Sequence, residues 1–202
     1  MIASASPLRC VHPSNLLTYA SLLAGMAAIA CAAQGLQGAA GALIASAVVL
    51  DTFDGRFARR FPRSDTQRAL GAQLDSLVDA VAFGAAPAVC MAALIEREAA
   101  NVQLMTLWWV SAFAFVAAAV SRLAFYNVAS SETDGFIGLP APVAALIWST
   151  VLLADPGLMP SVAVFLITAA AMVLPWSIVR PQGLVFAAFI CWPLAVAIAH
   201  LV

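Results

Sequence analysis

The feature that most constrains this chain is a succession of long apolar runs with almost no polar sequence between them. They cover roughly residues 16–33, 37–58, 70–95, 103–127, 139–154, 159–176 and 183–201. The linkers are short: 34–36, 60–69, 96–103, 129–138, 155–158 and 177–182. A water-soluble domain of this size needs far more polar surface. Here 64% of residues are hydrophobic and 9% charged, whereas soluble domains carry about 25% charged residues. The pattern predicts an all-α, polytopic membrane helix bundle with about seven transmembrane helices, the limits being six to eight. The run over 139–154 is the shortest for a hydrocarbon core of about 30 Å. No stretch suffices for a second folded unit, so residues 1–202 read as a single integral-membrane domain.

The basic residues orient that bundle. The chain has no lysine, and its arginines are Arg9, Arg56, Arg59, Arg60, Arg63, Arg68, Arg97, Arg122 and Arg180. With seven spans and a cytoplasmic amino terminus, all of them except Arg97 fall at or near the cytoplasmic face, as the positive-inside rule requires. The same threading brings the unusual polar elements to that face. Asn15 and Thr18 open the first span, Asp51 and Asp54 end the second, and Asp75 and Asp79 begin the third. Arg122 and Asn127 close the fourth, and 138–142 open the fifth. The expected location is the inner or plasma membrane, with the site facing the cytoplasm. The cysteines (Cys10, Cys31, Cys90 and Cys191) form no CxxC pair and read as small apolar residues.

Carboxylates inside membrane spans are expensive and mark functional sites. Asp51 and Asp54 are three residues apart, and Asp75 and Asp79 four apart, so each pair lies on one helix face. Gly55 and Ala58 continue the first face and Gly71 precedes the second. Two helices thus offer carboxylates among very small residues, a poor surface for ordinary packing. The plain alternative is a helix-end charge network with Arg56, Arg59 or Arg60, which leaves the spacing unexplained. Crowded carboxylates need cations, and an all-oxygen donor set favours Mg²⁺ or Mn²⁺. Two such ions suit displacement at a diphosphate, with Arg59 placed to clamp a phosphate.

The order Asp51-x2-Asp54-Gly55-x2-Ala58-Arg59, then Gly71-x3-Asp75-x3-Asp79, resembles the signature of the CDP-alcohol phosphotransferase family. One departure stands out: eleven residues separate Arg59 from Gly71 where the family usually has eight. The resemblance implies that Asp51, Asp54, Asp75 and Asp79 ligate two divalent ions, with Asp79 also the general base. It implies that Asn15, Thr18, Asp54, Gly55, Ala58, Arg59 and Gly71 meet the CDP-linked donor. It also implies a homodimer. Asn15 has an equally good local explanation as a helix N-cap.

Two further blocks resemble the membrane-embedded phosphatidylserine synthases. These are Leu74-Asp-Ser-Leu-Val-Asp-Ala-Val-Ala-Phe-Gly-Ala-Ala-Pro87, and Arg122-Leu-Ala-Phe-Tyr-Asn127 followed by Phe136-Ile-Gly-Leu-Pro-Ala-Pro142. The implied reaction moves phosphatidyl from CDP-diacylglycerol to the hydroxyl of L-serine, releasing CMP, with no nucleic acid involved. Arg122 and Asn127 are then candidates to hold serine. Other acceptors (glycerol phosphate, inositol phosphate, choline) remain alternatives. So does a divalent-cation transporter, which would leave the Gly-x2-Ala-Arg segment without a purpose. Gly84 and Pro87 alone would only kink a span, and 138–142 alone would only start a helix.

Overall fold

A computed structural model describes residues 12–95, 102–129, 136–178 and 183–202. Arg9, Cys10, Arg97 and Arg180, each given a place in the sequence reading, lie outside the described residues. The chain opens with a 3-10 turn over Pro13–Asn15 and then α1 (Leu16–Ala33). α2 (Gln37–Ala58) follows after a tight reversal in which Gly35 takes φ 77°, a region glycine enters without strain. α3 (Asp65–Asp79) runs through a π-helical stretch, Ala80–Ala85, into α4 (Ala86–Ile95). α5 (Val102–Ala129), α6 (Ala141–Leu152), α7 (Leu158–Val173) and α8 (Gly183–Ala199) complete the bundle.

Every apolar run is a helix, but the seven-span expectation is met only in part. Among the described residues four helical rods are long and apolar enough to cross a membrane: Pro13–Ala33, Gln37–Ala58, Asp65–Ala93 and Val102–Val128. The last three helices are shorter, Ala141–Leu152 being the shortest. At about 1.5 Å per residue its length is roughly 18 Å, well under the hydrocarbon thickness. The architecture is all-α and membrane-type.

Small residues govern the packing. Ala24, Ala28 and Ala32 of α1 meet Ala40, Ile44, Ala45, Ala47 and Val48 of α2 in the core, so the two backbones approach closely. Gly25 is obligatory in this layer: a Cβ there would stand 2.8 Å from the Cα of Ala82. The π stretch precedes Pro87, whose ring has no N–H and crowds the carbonyl four residues back; widening the helix ahead of it relieves that clash. Trp148, Phe115 and Phe165 fill the centre of the bundle, and Met91 and Met172 are buried with them. Cys90 is buried and Cys31 half-buried, whereas Cys191 is exposed on α8.

Two ties hold the ends. A minimal antiparallel ribbon pairs β1 (Phe136–Ile137) with β2 (Ser177–Ile178) and joins the segments that follow α5 and α7. Gly138, at φ 70°, presses its backbone against the Met172 carbonyl. At the opposite end of α2, the Ser149 hydroxyl donates to the Gly41 carbonyl (2.9 Å), and His200 Nε2 donates to the Ser149 carbonyl (2.9 Å).

Candidate active site

The helix termini of the first three rods build the site. His12 caps the opening turn, its Nδ1 accepting from the Ser14 amide at 3.2 Å. Asn15 is thereby released from capping; it makes no side-chain bond to the start of α1, which removes the N-cap explanation for it. Asn15 is 4% exposed, and its Oδ1 lies 3.3 Å from where a Cβ on Gly71 would stand. One turn on, the buried Thr18 hydroxyl donates to Asp54 Oδ2 at 3.1 Å. α1 packs on both α2 and α3, while α2 and α3 barely touch each other. That gap is where their carboxylates face one another.

The four aspartates form two rungs. α2 runs toward this end of the bundle and α3 away from it, so the later residue of one pair meets the earlier residue of the other. Asp54 neighbours Asp75 in an outer rung, and Asp51 neighbours Asp79 in an inner rung. Carboxylate oxygens of Asp51, Asp54 and Asp75 all lie within 4.8 Å of one another. Asp79 stands outside that trio, because four residues along α3 carry it about 6 Å deeper than Asp75. It is 8% exposed, and one oxygen each of Asp75 and Asp79 is buried with no hydrogen-bond partner. Unsatisfied buried oxygens of this kind, all hard donors, fit a divalent cation.

A cavity of about 290 Å³ opens beside the outer rung. Thr18, Asp54, Gly55, Ala58, Arg59, Gly71 and Asp75 wall it, together with Ser14 and Asn15. Every residue that the resemblance assigns to the donor is therefore gathered at one place. Gly55 bares its backbone there, with Arg59 Nη1 3.8 Å from the missing Cβ. Asp51 and Asp79 are not in the cavity wall; they lie behind it.

The same wall holds residues that motif reasoning missed: Ser14, Ala72, Arg63 and Arg68. Ser14 adjoins Asn15, its hydroxyl donating to Asn15 Oδ1 at 3.1 Å. The sequence signal for Arg63 and Arg68 is the length of the linker between Arg59 and Gly71.

Arg122 and Asn127 are placed differently from the donor residues. Arg122 is 8% exposed and lies within electrostatic reach of Asp79, on the inner-rung side. Its guanidinium sits 4.5 Å over the Tyr126 ring, and its Nε has no partner. It forms no ion pair with an aspartate among the described residues. The Tyr126 hydroxyl in turn binds the backbone of Ile137, tying α5 to the ribbon. Asn127 is exposed, and its Oδ1 accepts from the Ser76 hydroxyl at 2.8 Å, which binds α5 to α3. Neither residue lines the cavity.

Comparison with known proteins agrees with this geometry. Over 142 residues, 64% of this chain, the sequence is 37% identical to the CDP-diacylglycerol–serine O-phosphatidyltransferase of Mycobacterium tuberculosis (strain ATCC 25618 / H37Rv), covering 45% of that protein. It is 34% identical over 135 residues to the protein of the same name from Helicobacter pylori (strain J99 / ATCC 700824), covering 66% of this chain and 54% of the relative. An archaetidylserine synthase of Methanothermobacter thermautotrophicus is 32% identical over 133 residues, 65% of this chain and 54% of that one. The chain spans about half the length of these curated relatives. A sequence profile for CDP-alcohol phosphatidyltransferase matches residues 11–179, taking in every helix that carries the aspartates, the cavity and Arg122. With its signature residues assembled at one end of three helices, this chain belongs to the CDP-alcohol phosphatidyltransferase family.

Proposed function

We propose that this chain is a CDP-diacylglycerol–serine O-phosphatidyltransferase, transferring phosphatidyl to the hydroxyl of L-serine with release of CMP. The observation that carries the reading is the two-rung aspartate cluster set between a nucleotide-sized cavity and a buried arginine. The names of the relatives supply the acceptor. Divalent ions, Mg²⁺ or Mn²⁺, held by Asp51, Asp54, Asp75 and Asp79, would neutralise the diphosphate and the leaving oxygen.

The protein's own groups divide the remaining work. Asn15, Thr18, Gly55, Ala58, Arg59 and Gly71 seat the CDP group in the cavity. Thr18 also fixes the Asp54 rotamer through its hydrogen bond. Asp79, on the inner rung, takes the proton of the acceptor hydroxyl as that oxygen bonds to the β-phosphorus. The bond from this phosphorus to the bridging oxygen breaks, and the oxygen leaves with its electron pair on CMP. Asp79 then returns the proton to solvent. Arg122, facing Asp79 from α5, anchors the serine carboxylate, and its unpartnered Nε is the donor available for it. Asn127 braces α3 against α5 beside that position. Within this proposal residues 1–202 act as one membrane-embedded catalytic domain. The three short helices complete seven spans, the site opens to the cytoplasm, and two copies associate as a homodimer in the cell membrane.

The test is CMP release by the purified chain given CDP-diacylglycerol and a panel of acceptors. Serine-dependent release that requires Mg²⁺ or Mn²⁺ is expected. Release with glycerol phosphate, inositol phosphate or choline and not with serine would replace the acceptor assignment.

A further inference from the structure

The linker between α2 and α3 is longer than the family's usual spacing, and the structure shows where the extra length goes. Phe61 stacks edge-on against Phe57 (5.1 Å between centroids) and His12 (6.1 Å), which folds the linker back over the opening turn. Ser64 caps α3 with a reciprocal pair: its hydroxyl accepts from the Gln67 amide (3.2 Å), and Gln67 Oε1 accepts from the Ser64 amide (2.9 Å). Arg63 lies between these two anchors. Its carbonyl accepts from Arg68 Nη2 at 3.1 Å, and Arg68 also pairs with Asp65 at 3.4 Å. Arg68 is thus engaged in holding the linker. The Arg63 guanidinium makes no hydrogen bond or ion pair among the described residues. It is half-buried in the cavity wall, with Nη1 3.7 Å from the Cβ position of Gly71 and therefore beside Asn15. A cation has been brought to the cavity, and its backbone fixed, with no ion pair to a carboxylate among the described residues.

We propose that Arg63 is a phosphate-binding residue for the nucleotide, holding the phosphate that leaves on CMP. This inference rests on the function proposed above and adds a residue outside the family signature. In the donor each phosphate has one ester bond and shares the anhydride oxygen, and it carries a single charge. When the β-phosphorus moves to the acceptor, the phosphate left on CMP becomes a monoester and gains a second charge. A guanidinium at the cavity wall meets that developing charge with paired N–H donors, and bare Gly71 leaves it room to reach. Arg59 approaches the same cavity from the end of α2, so the leaving phosphate is held from both sides of the linker.

The experiment measures equilibrium binding of CMP and of cytidine to the purified chain in the presence of the divalent ion. Replacing Arg63 removes a charged hydrogen bond of about 1.5–3 kcal/mol. Arg63→Ala and Arg63→Gln are therefore expected to weaken CMP by about 10–100-fold, with cytidine unchanged and Arg63→Lys in between. Thermal unfolding equal to wild type confirms that the fold is intact, as expected for a side chain without partners. Equal losses for CMP and cytidine, or no loss for either, overturn the assignment. Wild-type chain that binds CMP yet makes no product with serine overturns the acceptor assignment and leaves that of Arg63 standing. Wild-type chain that fails to bind CMP overturns both.

Discussion

At the scale of single residues the two aspartate rungs stand in different surroundings, Asp54 and Asp75 in the cavity wall and Asp79 buried beside Arg122. The outer rung faces the cavity and the inner rung does not, so substitutions in the two rungs should differ in kind. Asp54→Asn and Asp75→Asn are expected to weaken both CDP-diacylglycerol binding and turnover, because both carboxylates wall the cavity. Asp79→Asn is expected to lower kcat by about 10²–10⁴-fold, the usual contribution of a general base, with donor affinity nearly unchanged at saturating metal. Steady-state kinetics beside donor titration read the difference, and a parallel collapse of both would make Asp79 chiefly a metal ligand. Arg122→Lys keeps a positive charge over Tyr126 and loses the paired donors of the guanidinium. The Michaelis constant for serine should rise about tenfold or more, as for loss of one charged hydrogen bond, while the apparent affinity for CDP-diacylglycerol stays put. An unchanged serine dependence would leave Arg122 a structural cation.

At the scale of elements, the π stretch between α3 and α4 sets the depth and rotation of everything beyond Asp79. Gly25 of α1 is its contact. Gly25→Ala puts a methyl group 2.8 Å from the Ala82 backbone and should cost about 1–3 kcal/mol, as overpacking does. Turnover should fall as well, since Ala82 is three residues past Asp79. Gly84→Ala is the control: its Cβ would sit at an ordinary 3.7 Å from Ala119, and thermal unfolding should be near wild type. This pair also shows what was legible in the sequence. Gly84 belongs to a recognisable block; Gly25 belongs to none, because its constraint comes from a helix nearly sixty positions away. The apolar runs located every helix, and carboxylate spacing located the cluster. What escaped were properties of three-dimensional approach: the π turn, the rung pairing, and Arg63 folded back over Gly71. The seven-span expectation failed to be met in full for a related reason. Hydropathy counts the whole apolar run 139–154, but Pro140 delays the helix to Ala141 and it stops at Leu152, so fewer residues are helical than are apolar.

At the scale of the whole molecule, α2 is held at both ends. One end carries Asp51 and Asp54, and the other is fastened to α6 and α8 through Gly41, Ser149 and His200. His200→Ala removes a hydrogen bond worth about 0.5–1.5 kcal/mol and the ring packed on Gly41. The melting temperature should drop by roughly 2–6 °C for a chain of this size, with the Michaelis constants unaffected. A kinetic effect larger than the stability effect would show that the far fastening transmits to the site. The depth difference between the rungs carries a last implication. On the proposed reading, the phosphorus changes hands between a water-filled recess and a layer one helical turn nearer the acyl chains. On that same reading the two products would part in different directions, CMP toward the recess and the lipid toward the bilayer, where Leu77 of α3 and Phe125 of α5 stand exposed. Water competing with serine for the phosphatidyl group has to descend to Asp79 to do so. On the proposed reading, the ratio of transfer to hydrolysis would follow the burial of the inner rung more than any contact with the nucleotide.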